Sequence, residues 1–239
     1  MIRLRILVEG ETEEDFVNEV LRDHLASKGI LVTANHLGLS RSNRGIVGWQ
    51  NASKYICNSL KEDPGIVVTT LVDFYALKKD WPGLHEASRT RYSERSSIMA
   101  AEINKDLKNR LKKLWNPHRC IPFVLIHEFE TLLFADPVNA ASAVGISSLA
   151  GPMEEIAASV SSPEEINDSR QTAPSKRLIK IFRENGFGHY DKRVHGNVAA
   201  LGIGLPRLRE SCPQFGAWLD SIENLTVRVE SADEPSEQG

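Results

Sequence analysis

Cysteine is scarce in this sequence. Cys57, Cys120 and Cys212 are the only three in 239 residues, odd in number and far apart. They suit a reducing compartment and form no zinc-type pair. Long hydrophobic runs are missing as well. No segment is long enough to span a bilayer and the first residues lack a signal-like apolar stretch, so no membrane association and a cytoplasmic location are expected. Net positive charge is absent, at -3, so no global field draws the chain to nucleic acid, and any such contact must come from a local patch. No strand–Gly-x-Ser-x-Gly–helix elbow occurs, which argues against a hydrolase triad. The glycine pairs in "GFGHY" and "GIGLP" lack a phosphate-loop lysine, so they give a nucleotide-binding reading little support. The seven histidines show no metal-ligand spacing; His189 and His195 stand six apart on an expected loop.

What is present is the composition of a soluble globular domain, 41% hydrophobic and 26% charged, long enough to bury a core. Ile2 to Val8 reads as a strand. Thr12 is the expected N-cap of a helix whose inner face carries Phe16, Val17, Val20, Leu21 and Leu25, ending at Gly29. "ILVTANHLG" is a second strand, the polar "SRSNRG" a loop, and Gly48 to Leu60 a helix. "IVVTTLVDF" is apolar and β-branched, as a strand covered on both faces would be. A helix from about Ser97 to Trp115 turns Ile103, Leu107, Leu111 and Leu114 inward, and "CIPFVLIHEFE" is a fourth strand. Strand alternating with helix predicts an α/β fold, a mainly parallel sheet flanked by helices, through about residue 135. Residues 136–228 read as a helical C-terminal portion packing on it. The acidic, apolar-poor tail 229–239 reads as disordered.

Acids mark the ends of three of these four strands: Glu9, Asp73, and Glu128 with Glu130. Open parallel sheets build ligand sites at the carboxyl ends of their strands. Glu13 follows Glu9 by four residues and can face the same crevice. Carboxylates gathered there repel one another unless a cation joins them. Their oxygen-rich chemistry suits Mg2+ or Mn2+ rather than zinc. Two such ions roughly 4 Å apart would serve phosphoryl transfer. Solvated acids at helix starts and strand ends are also common; Glu14 and Asp15 read as first-turn acids, and Glu11 admits either reading.

The motifs "VEGETE", "LVDFY" and "HEFETLLFAD", followed by "PEEIND", "APSKR" and "CPQFGAWL", resemble the bacterial family called domain of unknown function 4276. The resemblance covers the chain up to about residue 224. It implies a Toprim-like (Rossmann-like) fold related to the nuclease half of the OLD (overcoming lysogenisation defect) proteins. It also implies a phage-defence setting, nucleic acid as substrate, and a separately encoded AAA or ABC-type ATPase as partner. Carried over by residue, the Toprim glutamate falls on Glu9 and the second OLD-type glutamate on Glu13. The first aspartate of the Toprim pair falls on Asp73, and the late acidic pair on Glu128 and Glu130. Glu9, Glu13, Asp73, Glu128 and Glu130 are thus the implied metal ligands. Glu9, Glu13, Asp73 and Lys176 are the implied catalytic set. Lys176 of "APSKR" would offset phosphate charge or simply be solvated; Lys192 and Arg193 of "YDKRVHG" are further candidates.

One position departs from the pattern: Tyr75 stands where the second Toprim aspartate would be, and a phenol is a poor magnesium ligand. Two functions therefore stay open, a metal-dependent nuclease and a catalytically silent module that regulates the ATPase. A stand-alone phosphatase fits the metal site but not the basic loops. Basic and aromatic residues cluster between Lys78 and Arg95, where Trp81 and Tyr92 are candidates for stacking bases on an otherwise solvated face. His127 would be a proton shuttle if it faced the crevice; strand alternation from Glu128 instead makes it a core histidine.

Overall fold

Five strands, all paired in parallel, form the centre of the computed structural model, which describes residues 1–37, 46–166 and 172–225. They are β1 (Ile2–Val8), β2 (Ile30–His36), β3 (Ile66–Asp73), β4 (Cys120–Ile121) and β5 (Val124–Leu125). The order is β2-β1-β3-β4, with β5 also on β3. The fold class expected from the alternating elements is therefore the one observed, with a helical C-terminal part. The loop expected at "SRSNRG", part of "PEEIND" and the tail 229–239 lie outside the described residues. Among the described residues, no helix is long and apolar enough to cross a membrane.

Strand periodicity sorts the core into two layers. Ile2, Leu4, Ile6 and Val8 of β1, with Val67 and Leu71 of β3, point into one apolar cluster. That cluster also holds Phe16 and Leu21 of the first helical run and Phe182, Leu208, Phe215 and Leu219 of the C-terminal helices. The helical portion therefore packs directly on this sheet face. Leu7, Val68 and Val72 face the other way, onto Ile56 and Leu60 of the Trp49–Glu62 helix and Ile103 and Leu107 of the Tyr92–Leu111 helix. β3 is buried along its whole length, as its nearly all apolar, β-branched run leads one to expect.

Three local expectations are corrected. The first helix opens at Glu11 with Gly10, not Thr12, at its N-cap; the Glu13 carboxylate accepts the Gly10 N–H at 3.1 Å. Thr12 is buried instead, its carbonyl accepting from Asn197. The run then continues through a π-turn, Val17–Leu21, to Ser27. The long helix spans Tyr92–Leu111 rather than Ser97 to Trp115. Its early turn is anchored by the Tyr92 hydroxyl, which donates to Glu165 at 2.6 Å. It stops where Lys112 adopts a left-handed φ of 51°, leaving Leu114 61% exposed rather than inward.

The fourth strand is interrupted. Pro122 has no N–H to give to a ladder, and the Thr70 side chain fills the gap. Its hydroxyl accepts from Phe123 N at 2.9 Å and donates to Phe123 O at 2.7 Å. Pairing resumes in register, Val68↔Cys120 before the break and Val72↔Val124 after it. β5 ends at Leu125, so Glu128 and Glu130 lie beyond the strand, reached through His127 at φ 68°.

The C-terminal helices close up through small residues. A methyl group on Gly202 of the Lys192–Ile203 helix would overlap Ala143 of the Pro137–Val144 helix and lie 3.2 Å from the Asn139 carbonyl oxygen. Overpacking of this kind costs about 1–3 kcal/mol, against about 1 kcal/mol that alanine gains over glycine in helix propensity. Gly202→Ala is therefore expected to lower the urea midpoint, with a net loss on the order of 1 kcal/mol; an unchanged or raised midpoint would show that the helices can separate freely.

Candidate functional site

β1 and β3 are neighbours in the sheet, with Val8 opposite Leu71. Their carboxyl ends therefore bring Glu9, just past β1, next to Asp73, the last residue of β3. The Asp73 backbone hydrogen-bonds the Glu9 carboxyl. Glu13 arrives from the first turn of the helix that follows, and Glu130 from the 3-10 segment Phe129–Ala135 beyond β5. Glu13, Asp73 and Glu130 are all buried. Asp73 and Glu130 line an open cleft of about 780 Å³ together with Glu9 and Glu128. Ser175, Lys176, His189, Tyr190, Lys192 and Arg193 line it as well and supply hydrogen-bond donors.

The cation that meets these acids is Lys192. Its Nζ lies 3.2 Å from Glu13 Oε1, 3.2 Å from Asp73 Oδ2 and 3.6 Å from Glu130 Oε2, with the Phe129 ring centroid 5.9 Å away. Lys192 opens the Lys192–Ile203 helix, whose N-cap is Asp191, accepting from Val194 N at 3.0 Å. Arg193 clamps this turn to the first helix through Glu11, at 2.8 Å, and Asp15. Asn197 adds a bond to the Thr12 carbonyl at 3.2 Å. Gly196 lets the helix lie against Phe129, where a methyl group would come within 3.2 Å of the ring. These contacts hold the ammonium over the strand ends.

Sequence reasoning looked first to Lys176. That residue is exposed on the rim of the same cleft, in the Pro174–Glu184 helix. The signal for Lys192 was present but indirect. Two cations in the first turn of a helix oppose the helix dipole, which favours acids there, so they need negative partners from elsewhere in the fold. Glu128 also differs from its expected place among the inner ligands. Its Oε2 accepts from Ser175 N at 3.0 Å, at the start of the Pro174–Glu184 helix. Glu13 has both oxygens engaged, one by Gly10 N and one by Lys192.

One lysine does not satisfy the cluster. Glu9 Oε2, Asp73 Oδ1 and Glu130 Oε2 are buried without a hydrogen-bond partner. Burial, then the neighbouring charge of Glu13, raises the Glu9 pKa to about 7. Burial likewise holds Asp73 well above the usual carboxylate range and raises Glu130. Burial opposes the charged form of Lys192, but the carboxylates of Asp73, Glu130 and Glu13 together outweigh it and raise its pKa well above the ordinary value. Orphaned, hard oxygen donors of this kind fit a divalent cation of the Mg2+ or Mn2+ class. The fit is to the donor chemistry; among the described residues, no three His, Cys, Asp or Glu side chains are already arranged as a ligand set.

Tyr75 lines the cleft beside Asp73, its ring 5.3 Å from that of His127. His127 is buried, as expected of a core histidine, and burial followed by Arg95 lowers its pKa to about 4. It is neutral at pH 7 and does not line the cleft. Of the two aromatic residues expected to stack bases, Trp81 is buried. Trp81 is 2% exposed, packs on Trp49 at 5.1 Å and donates its indole N–H to Val47 O at 3.0 Å. Tyr92 is tied to Glu165. Exposed bases remain around them, Lys78, Lys79, Arg89 and Arg91, and the charge of Lys78 reaches Glu9.

The cation-free protein has a defined pH response. The folded pKa of Glu9, near 7, exceeds its ordinary 4.5, so the folded state binds more protons than the unfolded state between those values. This contribution is fully present below about pH 4.5 and lost as pH rises through 7. Glu9→Gln should accordingly be more stable than wild type at pH 8, by roughly 1–2 kcal/mol once solvent at the cleft mouth is allowed for. The difference should vanish by pH 4.5 in chelator-treated thermal melts. A gap independent of pH would contradict the assignment.

No functionally curated protein and no solved structure matches this chain. One family model does, over residues 8–223, from the end of β1 to the end of the last described helix. It therefore takes in every side chain of the cleft described above, and the chain belongs to the family described as domain of unknown function (DUF4276).

Proposed function

We propose that the protein is a metal-dependent nuclease, hydrolysing phosphodiester bonds at the cleft formed by Glu9, Asp73 and Glu130. The observation that carries this reading is the set of three buried carboxylate oxygens without hydrogen-bond partners, on Glu9, Asp73 and Glu130, in a cleft that is also lined by hydrogen-bond donors. A bound divalent cation would polarise the phosphate and lower the pKa of water. Glu9, Asp73 and Glu130 would hold it. Glu13, braced by Gly10 N–H, orients the inner edge of the site. Lys176, Lys192 and Arg193 line the path of an anionic substrate, and exposed Lys78, Lys79, Arg89 and Arg91 extend positive charge along the outside. Net charge of -3 makes such local patches necessary for a polyanion. The reading includes a Toprim-like relation to the OLD nucleases, a cytoplasmic setting in phage defence, and a separate AAA or ABC-type ATPase as partner.

A second reading is favoured by two observations. Tyr75 lines the cleft where the Toprim pattern would have an aspartate, and Lys192 already sits among Glu13, Asp73 and Glu130. In this reading the protein is a silent module that binds and regulates the ATPase.

Cleavage of supercoiled plasmid, single-stranded DNA and RNA, with Mg2+ or Mn2+ and with or without the ATPase, separates the two. The nuclease reading expects cutting by wild type that falls at least a hundredfold in Glu9→Gln and in Asp73→Asn, consistent with loss of a cation ligand. If wild type cuts nothing under any of these conditions while folded and bound to the ATPase, the silent module stands.

A further inference from the structure

We infer that Lys192 is an exchangeable counter-ion of the cleft, occupying the carboxylates until a divalent cation displaces it. The inference rests on the metal-binding reading above and concerns how the site is loaded.

Geometry is the first argument. Lys192 Nζ is within ion-pair reach of Glu13, Asp73 and Glu130 at once, at 3.2, 3.2 and 3.6 Å. Asp73 Oδ1 is left buried without a hydrogen-bond partner, and Glu130 Oε2 has no hydrogen bond beyond its 3.6 Å ion pair with this ammonium. An ammonium offers three protons and one charge, whereas Glu9, Glu13, Asp73 and Glu130 can carry four charges between them. The compensation is incomplete. A doubly charged ion brought to the same oxygens gains more attraction than the ammonium it meets. The ammonium and the ion also repel each other by an amount that grows sharply at such separations in a poorly solvated site. Both cannot hold Asp73 and Glu130 at close range.

The second argument is that Lys192 has somewhere to go. Its side chain is 37% exposed although its partners are nearly enclosed, so the ammonium reaches the acids from the open side of the cleft. The flexible four-carbon stem can swing outward without moving its helix. The helix itself is held by Arg193 on Glu11 and Asp15, by Asn197 on Thr12 and by Gly196 on Phe129. Displacement is therefore a rotamer change of one side chain, and it leaves the ammonium among the donors that face an incoming anion.

The consequences are asymmetric. Without a divalent cation, Lys192 is what makes the buried carboxylates tolerable, because removing one partner of a buried ion pair leaves uncompensated charge. With the cation present, the same lysine is a competitor. Calorimetric titration of MgCl2 and MnCl2 into wild type and Lys192→Met, with chelator-treated thermal melts alongside, tests both halves. Lys192→Met should melt lower than wild type without cation, gain more from added cation, and bind it about tenfold more tightly or better. Equal or weaker binding by Lys192→Met would overturn the exchange. Absence of binding by both proteins would overturn the metal reading itself and the exchange with it. Should Lys192→Met fail to fold without cation, wild type supplies the second readout, the extent of reductive methylation at Lys192 measured by peptide mass spectrometry. Labelling should rise on adding Mg2+, relative to surface lysines such as Lys105 and Lys180; unchanged or reduced labelling would refute displacement.

Discussion

The gathering of buried carboxylates under one ammonium is the constraint on which the rest of the structure depends. Charge repulsion at the ends of β1 and β3 would be costly if Glu9, Glu13, Asp73 and Glu130 stood alone. Lys192 reaches three of them, and its position follows from everything that orients the Lys192–Ile203 helix. That helix starts with two cations, against its own dipole, and is held down by ion pairs, a side-chain-to-carbonyl bond and a glycine contact. A C-terminal segment is thereby fastened to the N-terminal strand-to-helix turn.

The sheet supplies the other half of the arrangement. β3 is enclosed on both faces, so its last residue, Asp73, is delivered into a nearly dry environment. On the edge beside it, Pro122 breaks the ladder and Thr70 restores the connection, after which β5 ends early and the chain turns at His127. That turn allows Glu128 and Glu130 to separate in role. Glu130 enters the cluster, and Glu128 accepts from the start of the Pro174–Glu184 helix. A regular strand running on to Glu130 would place Glu128 and Glu130, two residues apart, on the same face and would offer no such division.

A site of this design exchanges stability for binding capacity. Orphaned oxygens in a buried cluster cost stability, and under the proposed metal-binding reading they would serve as donors to a hard cation. The Tyr75–His127 pair beside them is aromatic, and its imidazole is uncharged at neutral pH. The local charge balance therefore turns on the acids, Lys192 and whatever enters from solvent.

Much of this was legible in the residues alone. The alternation of strand with helix, the β-branched and nearly all apolar run of β3 and the acids at three of the four expected strand ends depend only on local pattern, and they pointed to the parallel sheet and its acidic mouth. Tertiary structure decided the partners. Glu128 and Glu130 are near neighbours in sequence, yet only the break at Pro122 and the positive φ of His127 send them to different tasks. Trp81 and Tyr92 had the composition of a nucleic-acid surface, but long-range contacts with Trp49 and Val47 bury Trp81, and Glu165 ties the hydroxyl of the half-buried Tyr92. Lys176 and Lys192 look alike as cations opening helices, and 119 residues separate Lys192 from Asp73 along the chain. Local propensity carries no information about which ammonium crosses that distance; helix docking does, because it alone sets the position from which a four-carbon side chain can reach the acids.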